Sequence, residues 1–535
     1  MNCSVLILAL KKNVAFPDDL VKRLNGKPLL QHTLDCAASW LGKEHVWVLT
    51  DSEEVEVMAR RYGVQAIRDP AFNLRNPQTL MKARWRFRSL LHDSRDLVAL
   101  WPYTPGMKPE LLASALHQHR QHRAALTVSV QQNRHRLFQP FMRSWHQALN
   151  ETEQMHWQEV RGFMILPVKP LPHLKELTVV PFEVPATLRE IQSYADWWVC
   201  EGQLRRKRIV FRVIGNRDVG MGHIYRALTL AHAIVDHELI FVCRPDDEAA
   251  VNKIAGLDYP VYVIEGGRVT QQLLALQPHL VINDCLDTEE PEIRRLRAAG
   301  VRVINFEDLG TGAKAADRVV NELYEEPLQP GDHILWGMDY AFLREEFTAA
   351  TPRDFSERPA RLLVTFGGTD PGNLTLRTLQ AVMPVCLRHR LHVDIVVGEG
   401  YGHLSQLRVF LDSCPSEAYT FTNATGVISR FMERCDLAIC GNGRTVHELA
   451  HMHVPAIVIS HHEREAAHPF SRPENGFVHV GLFTQVVAGQ IVRALERLLQ
   501  DTGWRRQLWQ NTRRFDFVAN RQRILQLIHD VLEPA

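Results

Sequence analysis

A glycine-rich turn that ends in a histidine is the first feature of this sequence that could do chemistry. It runs from Gly215 to His223, after the apolar stretch Arg208–Val213 and before a helical stretch that begins near Ile224. Such a turn lets the backbone approach an anionic ligand, and the free amides at the start of the helix would face a phosphate. The helix dipole disfavours the imidazolium there, so His223 would be a neutral base able to activate water or a hydroxyl. The alternatives are a plain tight turn and a histidine that only packs or caps the helix.

Two more turns of the same kind follow predicted strands later in the chain. The first comes after Leu362–Phe366 and reads GGTDPGN, and the second comes after Leu437–Cys440 and reads GNGRTVHE. Both open a helix, so their backbone amides and Thr445 could face a diphosphate. Glu448, one turn into the second helix, could accept hydrogen bonds from ribose hydroxyls. The alternative is that its charge only stabilises the start of its own helix.

A histidine-rich segment, HHERE at positions 461–465 with His468 after it, carries side chains that could bind a metal. Its spacing does not fit, because a zinc-binding helix needs HExxH and Ala466 stands where the second histidine would be. We expect these side chains to line a cleft or a loop. The sequence therefore predicts no metal site and no cofactor.

The composition is that of a soluble globular protein. Of the 535 residues, 45% are hydrophobic and 23% are charged, and such a length suits about three domains. The formal net charge is +1, so no global field would hold a phosphate backbone. Nucleic acid is therefore not an expected partner.

The cysteines and the first residues bear on location. The nine cysteines include no CxxC pair, which is typical of reduced thiols in a cytosolic protein. The apolar run after Met1 ends at Lys11 and has the wrong order and length for a signal peptide. No stretch reaches the roughly 20 apolar residues of a membrane span. We expect a cytoplasmic protein without a membrane span.

Short apolar runs alternate with amphipathic segments from end to end, which predicts parallel sheets with crossover helices and thus an α/β fold. The basic stretch Glu201–Arg208 separates two such series, and Phe347–Pro359 has the composition of a linker. These boundaries divide the chain into residues 1–205, 206–350 and 351–535. Strands are predicted at Cys3–Leu8, His45–Leu49, Leu97–Leu100, Ala125–Val130, Arg208–Val213, Leu239–Val242, Leu280–Ile282, Val301–Phe306, Leu362–Phe366, Val393–Val397, Leu437–Cys440 and Ala456–Ser460. Helices are predicted at Tyr225–Val235, Leu374–Leu387, Thr445–His451 and Gly489–Leu499.

Three segments carry a family resemblance: GMGHIYRALTLA (220–231), LLVTFGGTDPGNLT (362–375) and CGNGRTVHELAHMHVPAIVIS (440–460). Together they resemble the hydrolases that release the free sugar from UDP-linked 2,4-diacetamido-trideoxy sugars in pseudaminic acid synthesis. They are also similar to the spore-coat polysaccharide proteins related to those hydrolases. The resemblance covers about residues 207–535. It implies a glycosyltransferase-B fold of two Rossmann-like lobes, shared with the N-acetylglucosaminyltransferase that makes lipid II, with UDP held mainly by the second lobe.

The resemblance also implies roles for individual residues. His223 matches the catalytic base of the hydrolases. After the strand that matches Leu280–Ile282, the hydrolases have an Asp-His-Tyr segment, whereas this chain reads NDCLDT (283–288) and lacks the tyrosine. Asp284 in that segment is a candidate for orienting the nucleophile. The residues predicted to bind the nucleotide and sugar are Gly220, Gly222, Gly367, Gly368, Thr369, Asn442, Gly443, Arg444, Thr445 and Glu448.

Residues 1–205 resemble the cytidylyltransferases that activate sialic acids and related nonulosonic acids. The matching motifs are LNGKPL at 24–29, TDS at 50–52 and PYTP at 102–105. The resemblance implies a nucleotidyltransferase-like, glycosyltransferase-A-like domain of Rossmann type.

This first domain departs from that family at two functional positions. The phosphate-gripping Arg-Gly-Gly-Ser-Lys loop is replaced by LKKNV at 10–14, and Glu190 and Gln192 stand where the family has two aspartates for magnesium. We therefore expect a catalytically weak or dead domain, kept for binding or assembly, through which a homo-oligomer could form. Lys11 and Lys12 leave open that it still handles a nucleotide.

Three functions follow from these patterns. The first is hydrolysis of a UDP-linked sugar in surface polysaccharide or nonulosonic acid biosynthesis, with His223 as base and water as acceptor. The second is glycosyl transfer from the same donor to an acceptor hydroxyl. The third is an inactive scaffold or sensor that binds a sugar nucleotide.

Overall fold

The computed structural model describes residues 2–11, 18–70, 94–124, 126–133, 138–141, 144–147, 156–168, 179–216, 219–486 and 488–533. Contacts divide the chain into two compact units, Met1–Arg206 and Lys207–Ala535. The division falls inside the basic stretch at which the sequence predicts the first boundary. Among the described residues, none of the helices is long and apolar enough to cross a membrane.

The first unit is built on a seven-stranded sheet with helices around it. Its strands are β1 (Cys3–Leu8), β2 (Val46–Thr50), β3 (Gln65–Arg68), β4 (Asp96–Leu100), β5 (Leu126–Asn133), β6 (His156–Pro167) and β7 (Val179–Glu183). Its helices are α1 (Leu29–Leu41), α2 (Glu53–Tyr62), α3 (Pro109–Gln121) and α4 (Tyr194–Arg205). Two small ladders, Arg23–Leu24 with Lys27–Pro28 and Phe138–Phe141 with Ser144–Gln147, complete the described part.

The strand order of this sheet is β7-β5-β6-β4-β1-β2-β3. All neighbours are parallel except at β6, which runs antiparallel to both β4 and β5. The prediction of parallel sheets throughout is therefore wrong here. Between β5 and β6 the described residues contain a hairpin and no crossover helix, and a parallel strand needs such a crossover to return.

The second unit contains two sheets in which every pair of neighbouring strands is parallel. The first has the order β10-β9-β8-β11-β12-β13-β14, and the second β17-β16-β15-β18-β19-β20. The first sheet comprises β8 (Arg208–Val213), β9 (Glu238–Cys243), β10 (Val261–Val263), β11 (Leu280–Asp284), β12 (Arg302–Phe306), β13 (Arg318–Asn321) and β14 (Ile334–Trp336). The second comprises β15 (Arg361–Thr365), β16 (His392–Val397), β17 (Tyr419–Asn423), β18 (Leu437–Gly441), β19 (Ala456–Ser460) and β20 (Phe477–Leu482).

Helices follow most of these strands. In the first lobe they are α5 (Gly222–Ala233), α6 (Glu248–Ala255), α7 (Val269–Ala275) and α8 (Glu290–Ala298). The later ones are α9 (Leu374–His389), α10 (Leu404–Asp412), α11 (Ser429–Met432), α12 (Thr445–His451), α13 (Glu463–Ala466), α14 (Ala488–Gln500), α15 (Thr502–Thr512) and α16 (Asn520–Leu532). Short 3-10 turns lie at Lys43–His45, Thr311–Ala315, Met338–Tyr340, Glu345–Phe347, Ser416–Ala418 and Pro473–Asn475.

Both sheets of the second unit begin with the order of a Rossmann sheet. With the strands of each sheet numbered along the chain, their order across the sheet begins 3-2-1-4-5-6. Central strands such as β8 are almost continuously buried, as expected of strands with helices over both faces. The prediction of an α/β first domain followed by two Rossmann-like lobes is thus confirmed.

The last helix, α16, returns to the first lobe. Its side chains Ile524, Ile528 and Val531 are buried in the same apolar core as Phe211 and Phe241 of the first sheet. The sequence places residues 351–535 together in the second lobe, whereas the chain crosses back before it ends. Periodicity alone shows that α16 has an apolar face and says nothing about which lobe covers it.

Candidate active site

The candidate active site is a cleft between the two lobes of the second unit, with a volume of about 500 Å³. It lies at the carboxyl ends of the strands where the strand order reverses, between β8 and β11 and between β15 and β18. The loops after two such strands diverge and leave room for a ligand. The predicted residues that line it are Gly220, Gly222, His223, Gly367, Gly368, Thr369, Gly443, Arg444, Thr445 and Glu448.

His223 is the second residue of α5 and is held by Asp284, at the end of β11. The imidazole Nδ1 lies 2.6 Å from Asp284 Oδ1. Because an ionised carboxylate can only accept, Nδ1 carries a proton, and in the neutral ring Nε2 then keeps its lone pair. This is the tautomer that a general base needs, on a ring that lines the cleft.

Asp284 is buried behind the histidine and stays ionised because of Arg226. Burial would raise the pKa of this carboxyl, but the charge and hydrogen bonds of Arg226, with a smaller effect of His223, lower the pKa to about 2. Arg226 donates from Nε to Oδ2 at 2.8 Å and from Nη2 to Oδ1 at 2.6 Å. Asp284 does not line the cleft, so in this geometry it can orient the His223 ring but cannot directly touch a nucleophile bound there.

Arg226 is the centre of a buried ionic cluster. Its Nη1 lies 3.0 Å from an oxygen of Glu322 and 3.4 Å from an oxygen of Glu307. All of these side chains are buried. One guanidinium therefore faces three carboxylates, so a positive charge that develops on the imidazole during a reaction would be stabilised.

The loop before His223 is shaped by a buried aspartate. Asp247 accepts hydrogen bonds from the backbone NH of Gly215 at 3.2 Å and from the side chain of Asn216 at 3.0 Å. A Cβ on Gly215 would lie 2.5 Å from Ile224, so glycine is needed for the loop to pack on α5. Within the described part of the chain, no side chain caps the first turn of α5. The amides of that turn are therefore available to an anion in the cleft.

The loop Gly367–Thr369 also lies in the cleft, but the helix after it does not offer its amides. Asp370 accepts hydrogen bonds from the backbone NH groups of Leu374 and Thr375, each at 2.8 Å. The first turn of α9 thus already has an anionic cap. A phosphate in the cleft would meet the loop and not the helix, which differs from the arrangement expected from the sequence.

Glu448 lies in α12 with Arg344 beside it. Arg344 donates to Glu448 Oε1 at 3.1 Å and also forms an ion pair with Glu346 at 2.8 Å. Burial raises the pKa of the Glu448 carboxyl although the charge of Arg344 lowers it. A carboxylate can accept about four hydrogen bonds, so Glu448 retains acceptor capacity for hydroxyls in the cleft.

Asn442 is the predicted binding residue that the structure does not bring to the cleft. It is buried, and its amide donates to the carbonyl oxygens of Glu465 at 2.7 Å and of His468 at 3.2 Å. Its local role is to anchor the histidine-rich segment, which does line the cleft. The residues of that segment in the cleft wall are His461, His462, Arg464, Glu465 and His468.

Arg444 lines the cleft, yet its guanidinium is engaged with the first lobe. It forms an ion pair with Glu322. Its Nη2 donates to the carbonyl oxygen of Phe342 at 2.5 Å. Burial and the charge of Arg226 lower the pKa of Arg444 to about 10. These contacts join the two lobes beside the cleft.

The segment that lacks the hydrolases' tyrosine contributes a leucine to the cleft. Leu286 lines the wall with a φ of +68°. The next residue, Asp287, accepts a hydrogen bond from Arg464 at 3.0 Å and so adds a second link between the lobes. The wall at Leu286 is apolar, without the phenol hydroxyl that a tyrosine would supply.

In the first unit, the residues that replace the cytidylyltransferase motifs are ion-paired. Lys11 pairs with Asp18 at 3.0 Å and with Glu54 at 2.5 Å. Glu190 pairs with Arg161 at 2.6 Å, which puts a positive charge at the position predicted for magnesium. Residues 12–14 of the altered loop lie outside the described residues. Among the residues that the structure describes, no group of three acidic, histidine or cysteine side chains could hold a metal ion.

Arg226, Gly398 and Arg344 are among the residues of the site that were not predicted from the sequence. A signal for Arg226 exists, because it follows His223 by three residues and therefore shares its face of the helix. Gly398 has only the signal of a glycine after a strand, yet a Cβ there would lie 2.3 Å from the carbonyl oxygen of Gly368. Arg344 has no signal, since it lies in the irregular segment between the two sheets.

No protein-family model matches the sequence. An uncharacterised protein of Methanocaldococcus jannaschii is 25% identical over 267 residues, which are 46% of this chain and 54% of that protein. A spore coat polysaccharide biosynthesis protein of Bacillus subtilis is 24% identical over 267 residues, or 47% of this chain and 77% of that protein. A UDP-2,4-diacetamido-2,4,6-trideoxy-β-L-altropyranose hydrolase of Campylobacter jejuni is 25% identical over 187 residues, or 32% of this chain and 64% of that protein.

The chain therefore spans about half the length of the M. jannaschii relative. The resemblance to spore-coat polysaccharide proteins and to these hydrolases is confirmed. The fusion with a cytidylyltransferase-like domain stays a prediction.

Among solved structures, MurG of Acinetobacter baumannii aligns with 61% of this chain and 99% of its own length, at a TM-score of 0.44 and 14% identity. A CMP:2-keto-3-deoxy-manno-octonic acid synthetase aligns with 38% of this chain and 98% of its own length, at a TM-score of 0.29 and 16% identity. The two Rossmann-like lobes are established by the strand order of this chain.

Proposed function

We propose that the second unit is an enzyme that hydrolyses a UDP-linked sugar in surface polysaccharide or nonulosonic acid biosynthesis. The observation that carries the proposal is the Asp284–His223 pair, which holds a base in a cleft built from two Rossmann switch points. The B. subtilis and C. jejuni relatives, named for polysaccharide synthesis and for hydrolysis of a UDP-sugar, support the substrate class. The protein's partner is then a nucleotide-diphospho-sugar.

Water is the acceptor in this reaction. His223 Nε2 takes a proton from the water while its oxygen bonds to the anomeric carbon, and the bond from that carbon to the diphosphate oxygen breaks. The products are the free sugar and UDP, and the imidazolium then gives its proton to solvent. Amides of the first turn of α5 and of the loop Gly367–Thr369 stabilise the charge on the leaving diphosphate. The Asp284 carboxylate stabilises the imidazolium through its contact with Nδ1.

The test is release of UDP and free sugar by the full chain without any added acceptor. A panel of UDP-sugars is incubated with the protein, and both products are quantified by chromatography. Thermal shifts with UDP, CMP and the sugars identify ligands independently, because a ligand that binds only the native state raises the melting temperature. The proposal is wrong if no UDP-sugar is cleaved and UDP gives no shift.

Glycosyl transfer is a second candidate, which the apolar wall at Leu286 favours. The hydrolases have a tyrosine in this segment, and without its hydroxyl a sugar or lipid acceptor could replace water. The chemistry at His223 would be the same, with the proton taken from an acceptor hydroxyl. UDP release that requires an added acceptor would assign the protein as a transferase.

Replacing Glu448 by alanine is expected to weaken UDP binding about tenfold or more. Loss of a charge-assisted hydrogen bond costs roughly 1.5–3 kcal/mol. Isothermal titration of UDP into the full chain measures the effect. Glu346→Ala is the matched control, because it also removes a carboxylate from Arg344 but does not line the cleft. Unchanged UDP affinity in Glu448→Ala would remove Glu448 from the nucleotide site.

Replacing Asp284 by asparagine is expected to lower kcat about 100-fold or more, because an amide can stabilise the wrong tautomer of the histidine. Loss of the negative charge also weakens the base, so the acidic limb of the kcat/KM profile should move to lower pH. Rates of UDP release between pH 5 and 9 measure both effects. A kcat near that of the wild type would mean that Asp284 has no part in the reaction.

The first unit is proposed to be a recognition or assembly module with little catalytic activity. The Arg161–Glu190 ion pair occupies the position predicted for magnesium, so we expect no efficient synthesis of CMP-sugars from CTP. Magnesium-dependent release of pyrophosphate from CTP and a nonulosonic acid is the measurement, with an intact cytidylyltransferase as reference. A rate close to the reference would contradict this. A homo-oligomer formed through this unit stays a prediction, which light scattering would check.

A further inference from the structure

We infer that Arg444 is a positioning residue that makes the charge around the general base depend on contact between the lobes. This inference rests on the proposed function, since it assigns a regulating role within the same site. It concerns the link between the nucleotide loop of the second lobe and the base of the first lobe.

One carboxylate is shared by an arginine from each lobe. Glu322, just after β13 of the first lobe, accepts a hydrogen bond from Arg226 at 3.0 Å through the same oxygen that pairs with Arg444. Arg444 follows β18 of the second lobe, so its pair with Glu322 exists only while the lobes are in contact. Arg226 binds Asp284, which binds His223. A continuous series of charged contacts, an ion pair followed by hydrogen bonds, therefore runs from Arg444 to the base.

The charge balance of the cluster changes when Arg444 is present. Without it, one guanidinium faces three buried carboxylates, and with it the cluster contains a second buried guanidinium. These groups are largely removed from solvent, so one added charge is poorly screened. Among the described residues, the charged groups in contact with the imidazole are Asp284 from β11 and Arg226 from α5, and those beyond them are Glu307, Glu322 and Arg444.

The position of Arg444 in its own lobe links this charge to the ligand. Its neighbours Gly443 and Thr445 both line the cleft in the loop proposed to hold the nucleotide. The Arg444 guanidinium is also fixed by the carbonyl oxygen of Phe342 and stacks over that ring, with its carbon 5.1 Å from the ring centroid. A nucleotide that fixes the conformation of this loop would therefore also fix the Arg444 guanidinium against the Glu322 carboxylate. Binding on one lobe would thus set the electrostatics of the base on the other.

The test compares pH–rate profiles of UDP release for three variants of the full chain. Arg444→Met should lower kcat about tenfold or more and move the acidic limb of kcat/KM to higher pH by about half a unit or more, because losing a nearby positive charge favours the imidazolium. Arg444→Lys keeps the positive charge, so the acidic limb of its kcat/KM profile should lie at the same pH as in the wild type. Arg472→Met is the matched control, since Arg472 pairs with Glu325 across the same lobes at 2.7 Å but does not line the cleft.

The inference is wrong if the acidic limb of the kcat/KM profile does not move in Arg444→Met. It is also wrong if the limb moves equally in Arg472→Met. If Arg444→Met does not fold, Glu322→Gln replaces it. Glu322→Gln removes a negative charge, so the acidic limb of the kcat/KM profile should move in the opposite direction, to lower pH. A limb that stays at the wild-type pH would again overturn the inference.

A second measurement separates this inference from the proposed function. The titration midpoint of the His223 ring is followed by NMR in histidine-labelled full chain, with His223→Ala identifying the signal and no turnover required. A higher midpoint in Arg444→Met supports the coupling even if no UDP-sugar is cleaved. Equal midpoints in Arg444→Met and wild type would refute it even if hydrolysis is found.

Discussion

His223→Ala is expected to lower kcat for UDP release by about 100- to 10,000-fold, the usual contribution of a general base. UDP affinity should stay unchanged, because we propose that the nucleotide is held mainly by the loops of the second lobe, whereas the proposed base belongs to α5 of the first. Single-turnover kinetics and calorimetry on the same preparation measure the two quantities. Binding and chemistry should therefore separate in this one variant.

The matched control for this experiment is His232→Ala. His232 lies on the same helix as His223, two turns and more along it, and is exposed. Its removal should change neither kcat nor UDP affinity. Near-normal turnover in His223→Ala would contradict the role of base. Equal losses of binding and turnover would indicate that the histidine is needed for the structure of the loop.

Arg226→Met is expected to destabilise the second unit by about 3–5 kcal/mol, because it leaves three buried carboxylates without their shared partner. Hydrogen exchange of amides in α5 and β11 measures the loss locally, without assuming that the whole chain unfolds in one step. Such a loss is a large part of the stability of a typical domain. Turnover should disappear with it, since Asp284 would no longer hold the base in place.

Arg212→Met is the control for that loss. Arg212 is also buried, but it pairs with one carboxylate, Glu292, which is partly exposed. Its replacement should cost less than about 2 kcal/mol. Equal losses of stability in Arg226→Met and Arg212→Met would mean that the buried cluster stabilises the fold no more than a single ion pair does.

The stability that the cluster provides should also depend on pH. The pKa of Asp284 is lowered to about 2 in the folded protein, against about 3.9 in an unfolded chain. The contribution is therefore complete above about pH 4 and is lost as the pH falls toward 2. The difference in hydrogen exchange between wild type and Arg226→Met should shrink over that range. A difference that stays constant would exclude Asp284 as its source.

Much of this architecture can be predicted from local sequence patterns. The strands Cys3–Leu8, Arg208–Val213 and Ala456–Ser460 and the helix Thr445–His451 have the predicted bounds. Strands buried on both faces are short apolar runs, and glycine turns mark where they end at a ligand cleft. These signals are local, so the sequence by itself determines the α/β class and the position of His223 at the start of a helix, whereas the two Rossmann-like lobes were implied by the family resemblance.

The tertiary structure decided which residues surround that histidine. Asp284 is 61 residues from His223 and Glu322 is 96 residues from Arg226, and no periodicity links positions so far apart. The same holds for the return of α16 to the first lobe and for Arg444, whose partner belongs to the other lobe. The physical reason is that secondary structure depends on neighbours along the chain, whereas charge pairing depends on how sheets and lobes pack. Asn442 illustrates the difference, because its loop has the pattern of a ligand site while packing turns its amide toward the carbonyl oxygens of Glu465 and His468.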